Sequence, residues 1–449
     1  MTTTNKVSAA QVHKILQKHI LTDGYDIVLD LEKSEGAYLY DAKSGDRYLD
    51  FFTFFASNPL GMNHPQLAND EFRNKIGRVA INKPSNSDIY TEEMAEFVDN
   101  FDRVGIPDYL PYSFFISGGA LAVENALKVA FDWKVQKNFE KGYRQEKGHK
   151  VLHLEQAFHG RTGYTMSLTN TDPTKTKYFP KFDWPRIISP AMNYPATDER
   201  IQTTVEHEER AIAQAERYFK MYEDEIACIV LEPIQGEGGD RHFRREFHQA
   251  LRDLADKHEA LLIYDEVQTG VGLTGKFWAH EHYVKPDILA FGKKAQVCGI
   301  LASKRVDDVK DNVFHVSSRI NSTWGGNLVD MVRFGRILQV IEDENLVDNA
   351  ATVGNYLQDK LATLAQKFEY VSNPRGKGLF CAIDFPNSHA RDAVIEECIK
   401  NKLMILSCGT KTMRFRPPLT VSKDHIDEGI DIIEQAIKSG MEKCPAINN

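Results

Sequence analysis

The chain has 449 residues, of which 27% are charged and 42% are hydrophobic, and its formal net charge is −9. This length predicts two or three structural units, and the composition is typical of globular rather than disordered proteins. The acidic charge balance argues against nucleic acid or an anionic membrane surface as a partner.

The distribution of apolar residues and cysteines argues against a membrane-spanning, secreted, disulfide-linked or metal-binding protein. No apolar run approaches the roughly 20 residues that span a bilayer, and the polar N-terminus does not look like a secretory signal. The six cysteines form no Cys-x-x-Cys pair, which argues against a disulfide framework and against a metal site. We therefore expect a cytoplasmic protein without a bound metal.

The first predicted elements are a capped helix from Ser8 to about Ile20 and two short strands within Gly36–Leu49, joined by a Lys-Ser-Gly-Asp turn. From about residue 110, strands and helices alternate. Phe114–Ile116 is predicted to be a strand, and the apolar spacing that begins at Val123 predicts an amphipathic helix after it.

The clearest unit is a strand, a helix and a second strand. The apolar run Ile226–Leu231 leads through the glycine-rich segment QGEGGD to a helix and then to the strand Leu261–Tyr264, so a parallel sheet is predicted. Ligands of such sheets bind beyond the carboxyl ends of the strands. We expect Glu237, Asp265 and Lys294 to lie at that edge.

From about residue 330 the pattern changes to helices with short strands, which predicts a smaller α+β domain joined by the N-terminal segment. The expected division is residues 1–75 and 329–449 for this small domain and residues 76–328 for a large domain. Predicted helices are Val329–Glu342, Ala351–Gln366, Asp392–Lys402 and Asp424–Ser439, and predicted strands are Leu379–Asp384, Leu403–Leu406 and Met413–Phe415.

Two segments carry groups suited to a phosphorylated or aromatic ligand. Gly119 and Ala120 open the predicted helix, where backbone amides and the helix dipole favour phosphate, although a tight turn explains the small residues equally well. Phe158 can stack on a flat ring and Arg161 can bind a carboxylate. Taken singly, core packing for Phe158, a structural role for His159 and a surface ion pair for Arg161 are the more ordinary explanations.

Charged residues at the ends of apolar strands also have two explanations each. Asp265 either caps the following turn or pairs with a protonated ring nitrogen, with Gln268 near the same ring. Lys294 follows an apolar strand and is either one of two solvated lysines or an amine that forms a Schiff base. Glu237 and Arg414 form an ion pair or are unrelated, and their spacing does not decide between these alternatives.

Seven segments, in their order along the chain, resemble the class III aminotransferases of subgroup II, which are pyridoxal 5'-phosphate enzymes of fold type I. The resemblance extends over nearly the whole chain and implies an α/β fold. The large domain would contain a mostly parallel sheet with helices on both faces, and the small α+β domain would be built from the N- and C-terminal segments. The segments are SGGALAVE, FHGR, EPIQGEGGD, YDEVQTGVGLTGKFWAHEH, FGKK, NSTWGGN and MRFRPPL.

The resemblance implies a role for each residue that binds the cofactor. Lys294 would form the Schiff base, and Asp265 would keep the pyridine nitrogen protonated. Thr323 would reach the phosphate from the partner subunit of a homodimer, whose active site would lie at the subunit interface. The family often has Ser or Thr where Ala120 stands. The expected cofactor-binding residues are Gly119, Ala120, Phe158, His159, Asp265, Gln268, Lys294 and Thr323.

The resemblance also implies how substrates are bound. Glu237 and Arg414 match the family's switch pair, in which Glu237 neutralises Arg414 for an amine donor and moves aside when Arg414 binds the α-carboxylate of a 2-oxo acid. Arg161 would bind the distal carboxylate, and Asn321 is a candidate for the substrate's α-amino group. Arg416 is the second candidate for the role given to Arg414.

Within this family, the segments SGGALAVENALK and NSTWGGNLVDM look like those of the members that act on lysine, so the resemblance implies L-lysine as the amino donor. Its ε-amino group would pass to 2-oxoglutarate by a ping-pong mechanism with Lys294 as general base, giving 2-amino-6-oxohexanoate, which cyclises, and L-glutamate. The small-molecule alternatives are 4-aminobutyrate and ornithine. A more distant alternative is a binding module that keeps the fold without turnover.

Overall fold

The computed structural model describes residues 7–442, which form thirteen α-helical segments and fourteen strands. The strands are β1 (Tyr38–Tyr40), β2 (Arg47–Asp50), β3 (Tyr112–Ile116), β4 (Lys150–Leu154), β5 (Arg186–Ile187), β6 (Ile226–Leu231), β7 (Leu261–Asp265), β8 (Ile288–Phe291), β9 (Cys298–Ala302), β10 (Ser372–Lys377), β11 (Phe380–Asp384), β12 (Leu403–Met404), β13 (Leu406–Cys408) and β14 (Thr412–Phe415). The helices are α1 (Val12–Leu16), α2 (Thr53–Ala56), α3 (Pro65–Ala68), α4 (Asp70–Ala80), α5 (Glu92–Val104), α6 (Gly119–Glu140), α7 (Gly163–Leu168), α8 (Asp198–Met221), α9 (Arg245–Lys257), α10 (Leu328–Asp343), α11 (Leu346–Lys367), α12 (Ser388–Lys400) and α13 (Lys423–Glu442).

A seven-stranded sheet forms the centre of the fold, with its strands in the order β3, β9, β8, β7, β6, β4, β5. The five strands β8, β7, β6, β4 and β5 are parallel to one another. Strand β9 runs antiparallel to both of its neighbours, β3 and β8. The predicted unit of strand, helix and strand is β6, α9 and β7, with the two strands parallel. The predicted α/β fold with a mostly parallel sheet is confirmed.

Side chains of the central strands alternate between two helical layers. Leu261 and Ile263 pack in the cluster that contains the buried face of α6, whereas Leu262 and Tyr264 pack with α8 and α9. Because both faces are covered, β6 and β7 are buried along their whole length and have continuous apolar sequences. The alternation places Asp265, the last residue of β7, on the side of α6.

Two smaller sheets involve the ends of the chain. The sheet β1–β2–β12 joins N-terminal strands to a C-terminal strand, with β2 and β12 parallel, and the sheet β10–β11–β14–β13 is antiparallel. Helix α10 packs against α4 and α5, which precede the central sheet in the sequence. The division at residues 75 and 328 stays a prediction.

Several elements differ from the sequence-based expectations. The N-terminal helix is only Val12–Leu16 after a short 3-10 turn, and none of its residues is buried, so no packing stabilises a longer helix. The predicted strand Leu403–Leu406 is divided between β12 and β13, because the chain passes from one small sheet to the other at Ile405. Helices α4, α5 and α8 and strand β10 were not predicted. Within residues 7–442, no helix is both long enough and apolar enough to cross a membrane.

The segment α2 is a turn of left-handed conformation. The φ angles of Thr53, Phe54, Phe55 and Ala56 are 40°, 51°, 61° and 64°, a conformation that costs L-residues about 1–2 kcal/mol each. The buried carboxylate of Asp50 accepts hydrogen bonds from the backbone amides at positions 52 and 53, at 2.9 and 2.7 Å. These bonds support the start of the turn against its strain.

The titration of Asp50 leads to a stability prediction. Burial raises the pKa of this carboxyl from 3.8 to about 6. The folded chain therefore binds more protons than the unfolded chain between about pH 4 and 6, and this group lowers the free energy of unfolding as the pH rises through that window. Asp50→Asn keeps an acceptor oxygen without titrating. We expect the melting temperature of the variant, relative to wild type, to rise from pH 4 to pH 7.

Asp41→Asn is the matched control for this measurement. Asp41 is also buried, but its hydrogen bonds with Val28, Lys43 and Ser44 outweigh burial and lower the pKa of its carboxyl. Its contribution to stability is therefore present above pH 3.8 and is lost as the pH falls through the lowered pKa. The stability deficit of Asp41→Asn should shrink on acidification. The same pH trend in both variants would contradict the assignment for Asp50.

Candidate active site

A cavity of about 240 Å³ lies at the carboxyl ends of the parallel strands, where the sequence analysis placed a ligand site. It brings together seven of the predicted site residues: Gly119, Ala120, Phe158, His159, Glu237, Asp265 and Gln268. Gly160, Glu232, Val267 and Lys293 complete the lining. Lys294, Arg161, Arg414, Asn321 and Thr323 are not lining residues of this cavity.

Asp265 is held at the inner side of the cavity by two hydrogen bonds. One carboxylate oxygen lies 2.8 Å from Nδ1 of His159, and the other accepts the amide N–H of Val267 at 3.0 Å. Burial opposes a charged imidazole, but the hydrogen bond and charge of Asp265 outweigh it and raise the pKa of His159. His159 thus fixes the orientation of the carboxylate.

Glu232 is a cavity residue that the sequence analysis missed. It is buried, and its carboxylate accepts the amide N–H groups of Phe158 and Gly236 at 3.0 and 2.9 Å. Burial raises the pKa of Glu232 to about 7. A signal was present in the sequence, because Glu232 directly follows the apolar strand β6 much as Asp265 ends β7.

The first turn of α6 forms one wall of the cavity. Its leading amide N–H groups have no acceptor within the helix, and the positive end of the helix dipole faces the same way. Close packing requires small residues here, since a Cβ on Gly119 would lie 2.9 Å from Val267 and one on Gly160 would lie 2.4 Å from the Cβ of Ala120. The wall can therefore approach an anion with its backbone.

Two adjacent lysines follow β8, and both contact the left-handed turn. The buried amine of Lys294 donates to the carbonyl oxygens of Gln268 and Ala56, at 2.6 and 3.2 Å. The amine of Lys293 donates to the carbonyl oxygen of Phe55 at 3.0 Å. Burial, with the charge of Lys293, lowers the pKa of Lys294 well below its ordinary value, and burial also lowers the pKa of Lys293 to about 8.

Glu237 and Arg414 form an ion pair, which settles the alternative that the sequence left open. Oε2 of Glu237 lies 2.8 Å from Nη2 of Arg414, and Oε1 lies 2.5 Å from Nζ of Lys175. Arg414 is buried, and its Nε and Nη1 have no hydrogen-bond partner among the described residues. The guanidinium therefore has free donors for a further acceptor.

Arg416 has different partners from Arg414. Its guanidinium lies 2.6 Å from Asp240 and donates to Oε1 of Gln268 at 3.0 Å, and both charged side chains are fully buried. Of the two arginines considered for the switch, Arg414 is the one that pairs with Glu237 in the structure.

Of the five predicted residues that do not line this cavity, three are exposed in the single chain. Arg161 is exposed, with its guanidinium 5.9 Å from the ring centre of Phe158. Asn321 and Thr323 are exposed as well, and the side chain of Asn321 accepts the amide N–H of Ser322 at 2.8 Å. Their assigned roles stay predictions.

The groups around the cavity fit pyridoxal 5'-phosphate. The oriented carboxylate of Asp265 suits the pyridine nitrogen, Phe158 offers an aromatic face, and the α6 amides near Gly119 suit the phosphate. The amine of Lys294, with its lowered pKa, suits the aldehyde. Each of these groups suits a different part of the cofactor.

Comparisons with known proteins agree with this chemistry. The L-lysine-epsilon aminotransferase of Mycobacterium tuberculosis (strain ATCC 25618 / H37Rv) is 55% identical over 430 residues, which is 95% of each chain. The L-lysine-epsilon aminotransferase of Amycolatopsis lactamdurans is 51% identical over 435 residues, or 96% of each chain. The 4-aminobutyrate aminotransferase of Dictyostelium discoideum is 33% identical and covers 91% of this chain and 85% of its own.

A solved structure supports the same relationship. The lysine aminotransferase from M. tuberculosis in the internal aldimine form matches with a TM-score of 0.95 at 54% identity, covering 97% of this chain and 100% of that one. The model of the family described as aminotransferase class-III matches residues 21–437. The chain therefore belongs to the class-III aminotransferases, which are pyridoxal-phosphate-dependent transaminases.

Proposed function

We propose that this enzyme transfers the ε-amino group of L-lysine to 2-oxoglutarate, giving 2-amino-6-oxohexanoate, which cyclises, and L-glutamate. The observation that carries the proposal is the 55% identity to a lysine-epsilon aminotransferase over 95% of both chains. The 33% identity to a 4-aminobutyrate aminotransferase makes that amine the second candidate donor.

The residues that line the cavity support our proposal for how the cofactor binds. When bound, pyridoxal phosphate supplies an aldehyde that accepts the amino group and a protonated ring that delocalises negative charge. Asp265 binds the ring nitrogen in an orientation set by His159, and Phe158 packs on the ring. The amides of Gly119 and Ala120 bind the phosphate, and Gln268 contacts the phenolic oxygen.

Lys294 binds the cofactor through its amine and then acts as the general base. Burial lowers the pKa of this amine well below its ordinary value, which favours the neutral form of Nζ that accepts a proton from the Cε atom of lysine. The carbonyl oxygens of Ala56 and Gln268 hold Nζ in place at 3.2 and 2.6 Å.

Substrate exchange depends on the ion pair of Glu237 and Arg414. With L-lysine the pair stays closed, and Arg161 binds the carboxylate at the far end of the substrate. With 2-oxoglutarate, Glu237 leaves and the free donors of Arg414 bind the α-carboxylate, while Arg161 binds the other carboxylate. Asn321 is our candidate for contact with the α-amino group of lysine.

The active unit that we propose is a homodimer in the cytoplasm. The exposure of Thr323 supports a contribution of this residue to the phosphate site of the partner subunit. The cysteines among the described residues, Cys228, Cys298, Cys381, Cys398 and Cys408, are free and buried, which agrees with a reducing compartment.

The choice of donor is tested with the purified holoenzyme and 2-oxoglutarate. We expect kcat/KM for L-lysine to exceed that for 4-aminobutyrate and L-ornithine by at least about tenfold, because closely related substrates differ by 1–3 kcal/mol of transition-state binding. Glutamate formation gives the rate, and product analysis identifies the cyclised aldehyde. A higher kcat/KM for 4-aminobutyrate or ornithine would overturn the lysine assignment.

The role of Lys294 is tested by Lys294→Ala. Loss of the amine that binds the cofactor and moves the proton should lower kcat by at least about a thousandfold. Lys293→Met is the comparison, since it removes the neighbouring amine and is expected to lose far less activity. Equal losses in the two variants, or undiminished turnover by Lys294→Ala, would show that the wrong lysine has been assigned.

A further inference from the structure

Glu237 has a second cationic partner that the switch between two substrates does not by itself require. Each of its carboxylate oxygens has a separate partner: Oε2 lies 2.8 Å from Nη2 of Arg414, and Oε1 lies 2.5 Å from Nζ of Lys175. The side chain of Lys175 is 16% exposed and that of Glu237 is 28% exposed. The carboxylate is thus bridged between two cations in a partly dehydrated position.

Lys175 and Arg414 lie in different structural elements. Lys175 ends the short 3-10 turn Pro173–Lys175, whose start is capped by the side chain of Asp172 at 2.8 Å from the amide of Thr174. Its amine also lies 5.2 Å from the ring centre of Phe158. Arg414 belongs to β14, so either contact of Glu237 can break while the other stays formed.

The two cations offset the cost of burying the charged carboxylate of Glu237. Burial opposes ionisation of Glu237, but the charges of Arg414 and Lys175 outweigh it and lower the pKa of the carboxyl. A carboxylate that left Arg414 without another partner would be a poorly solvated, uncompensated charge, which is costly. An ammonium group that stays bound removes most of that cost.

Resting on the proposed function, we propose that Lys175 is a positioning residue that retains Glu237 when the carboxylate of the 2-oxo acid binds Arg414. Oε1 stays on the amine of Lys175 while Oε2 leaves Nη2 of Arg414. The switch therefore opens by rotation of the Glu237 carboxylate about its contact with Lys175. With the amine donor the switch stays closed, and Lys175 contributes little to that half-reaction.

The test compares the two half-reactions in Lys175→Met holoenzyme. In a ping-pong reaction, kcat/KM for each substrate reports on its own half-reaction. We expect kcat/KM for 2-oxoglutarate to fall about tenfold while that for the amino donor stays within twofold. Lys175→Arg should restore most of the lost kcat/KM for 2-oxoglutarate. Lys177→Met, which removes an exposed lysine two residues along the same segment, should match wild type in both values.

A binding measurement separates this proposal from the proposed function. Glutarate has the two carboxylates of 2-oxoglutarate but no oxo group, and its affinity for the holoenzyme is measured by calorimetry. Weaker glutarate binding to Lys175→Met than to wild type and Lys177→Met supports the role of Lys175 even when lysine proves not to be the donor. Unchanged glutarate binding, or equal losses of kcat/KM for both substrates, overturns it even when lysine is the donor.

Discussion

The hydrogen bond between Asp265 and His159 is the interaction on which the rest of the site depends. Asp265 ends a fully buried strand, and the alternation of side chains along that strand turns it toward α6 and the amides at the start of that helix. Nδ1 of His159, 2.8 Å from the carboxylate, then fixes its orientation. In the cofactor site that we propose, this acid would bind the charged ring and the helix N-terminus beside it would bind the phosphate.

The amine of Lys294, which we propose as the reactive group, is positioned by backbone rather than by side chains. The carbonyl oxygens that receive the amines of Lys293 and Lys294 include those of Phe55 and Ala56, in a turn with four consecutive positive φ angles. Strain of this kind persists only where surrounding contacts determine it, and here Asp50 supplies two of them. The turn thus links the small sheet that contains β2 to the two lysines that follow β8.

The sequence predicted the parts of this arrangement that depend on local pattern. Continuous apolar runs on both sides of QGEGGD predict parallel strands, and that topology brings Glu237 and Asp265 to one edge. The pairing of Glu237 with Arg414 joins residues 177 positions apart, so spacing alone did not decide it. Lys175 lies in a segment without helical or strand periodicity, and the left-handed turn is formed by residues other than glycine, so neither had a local signal.

We propose that the amine of Lys294 carries the cofactor, and the most direct test of this role is chemical. Borohydride reduction of the holoenzyme makes the bond between the cofactor and its lysine permanent, and fragmentation of the proteolytic peptides by mass spectrometry locates the added mass. We expect this mass on Lys294, with Lys293 unmodified. The added mass on Lys293, or no modified lysine in a transaminase that is active before reduction, would contradict it.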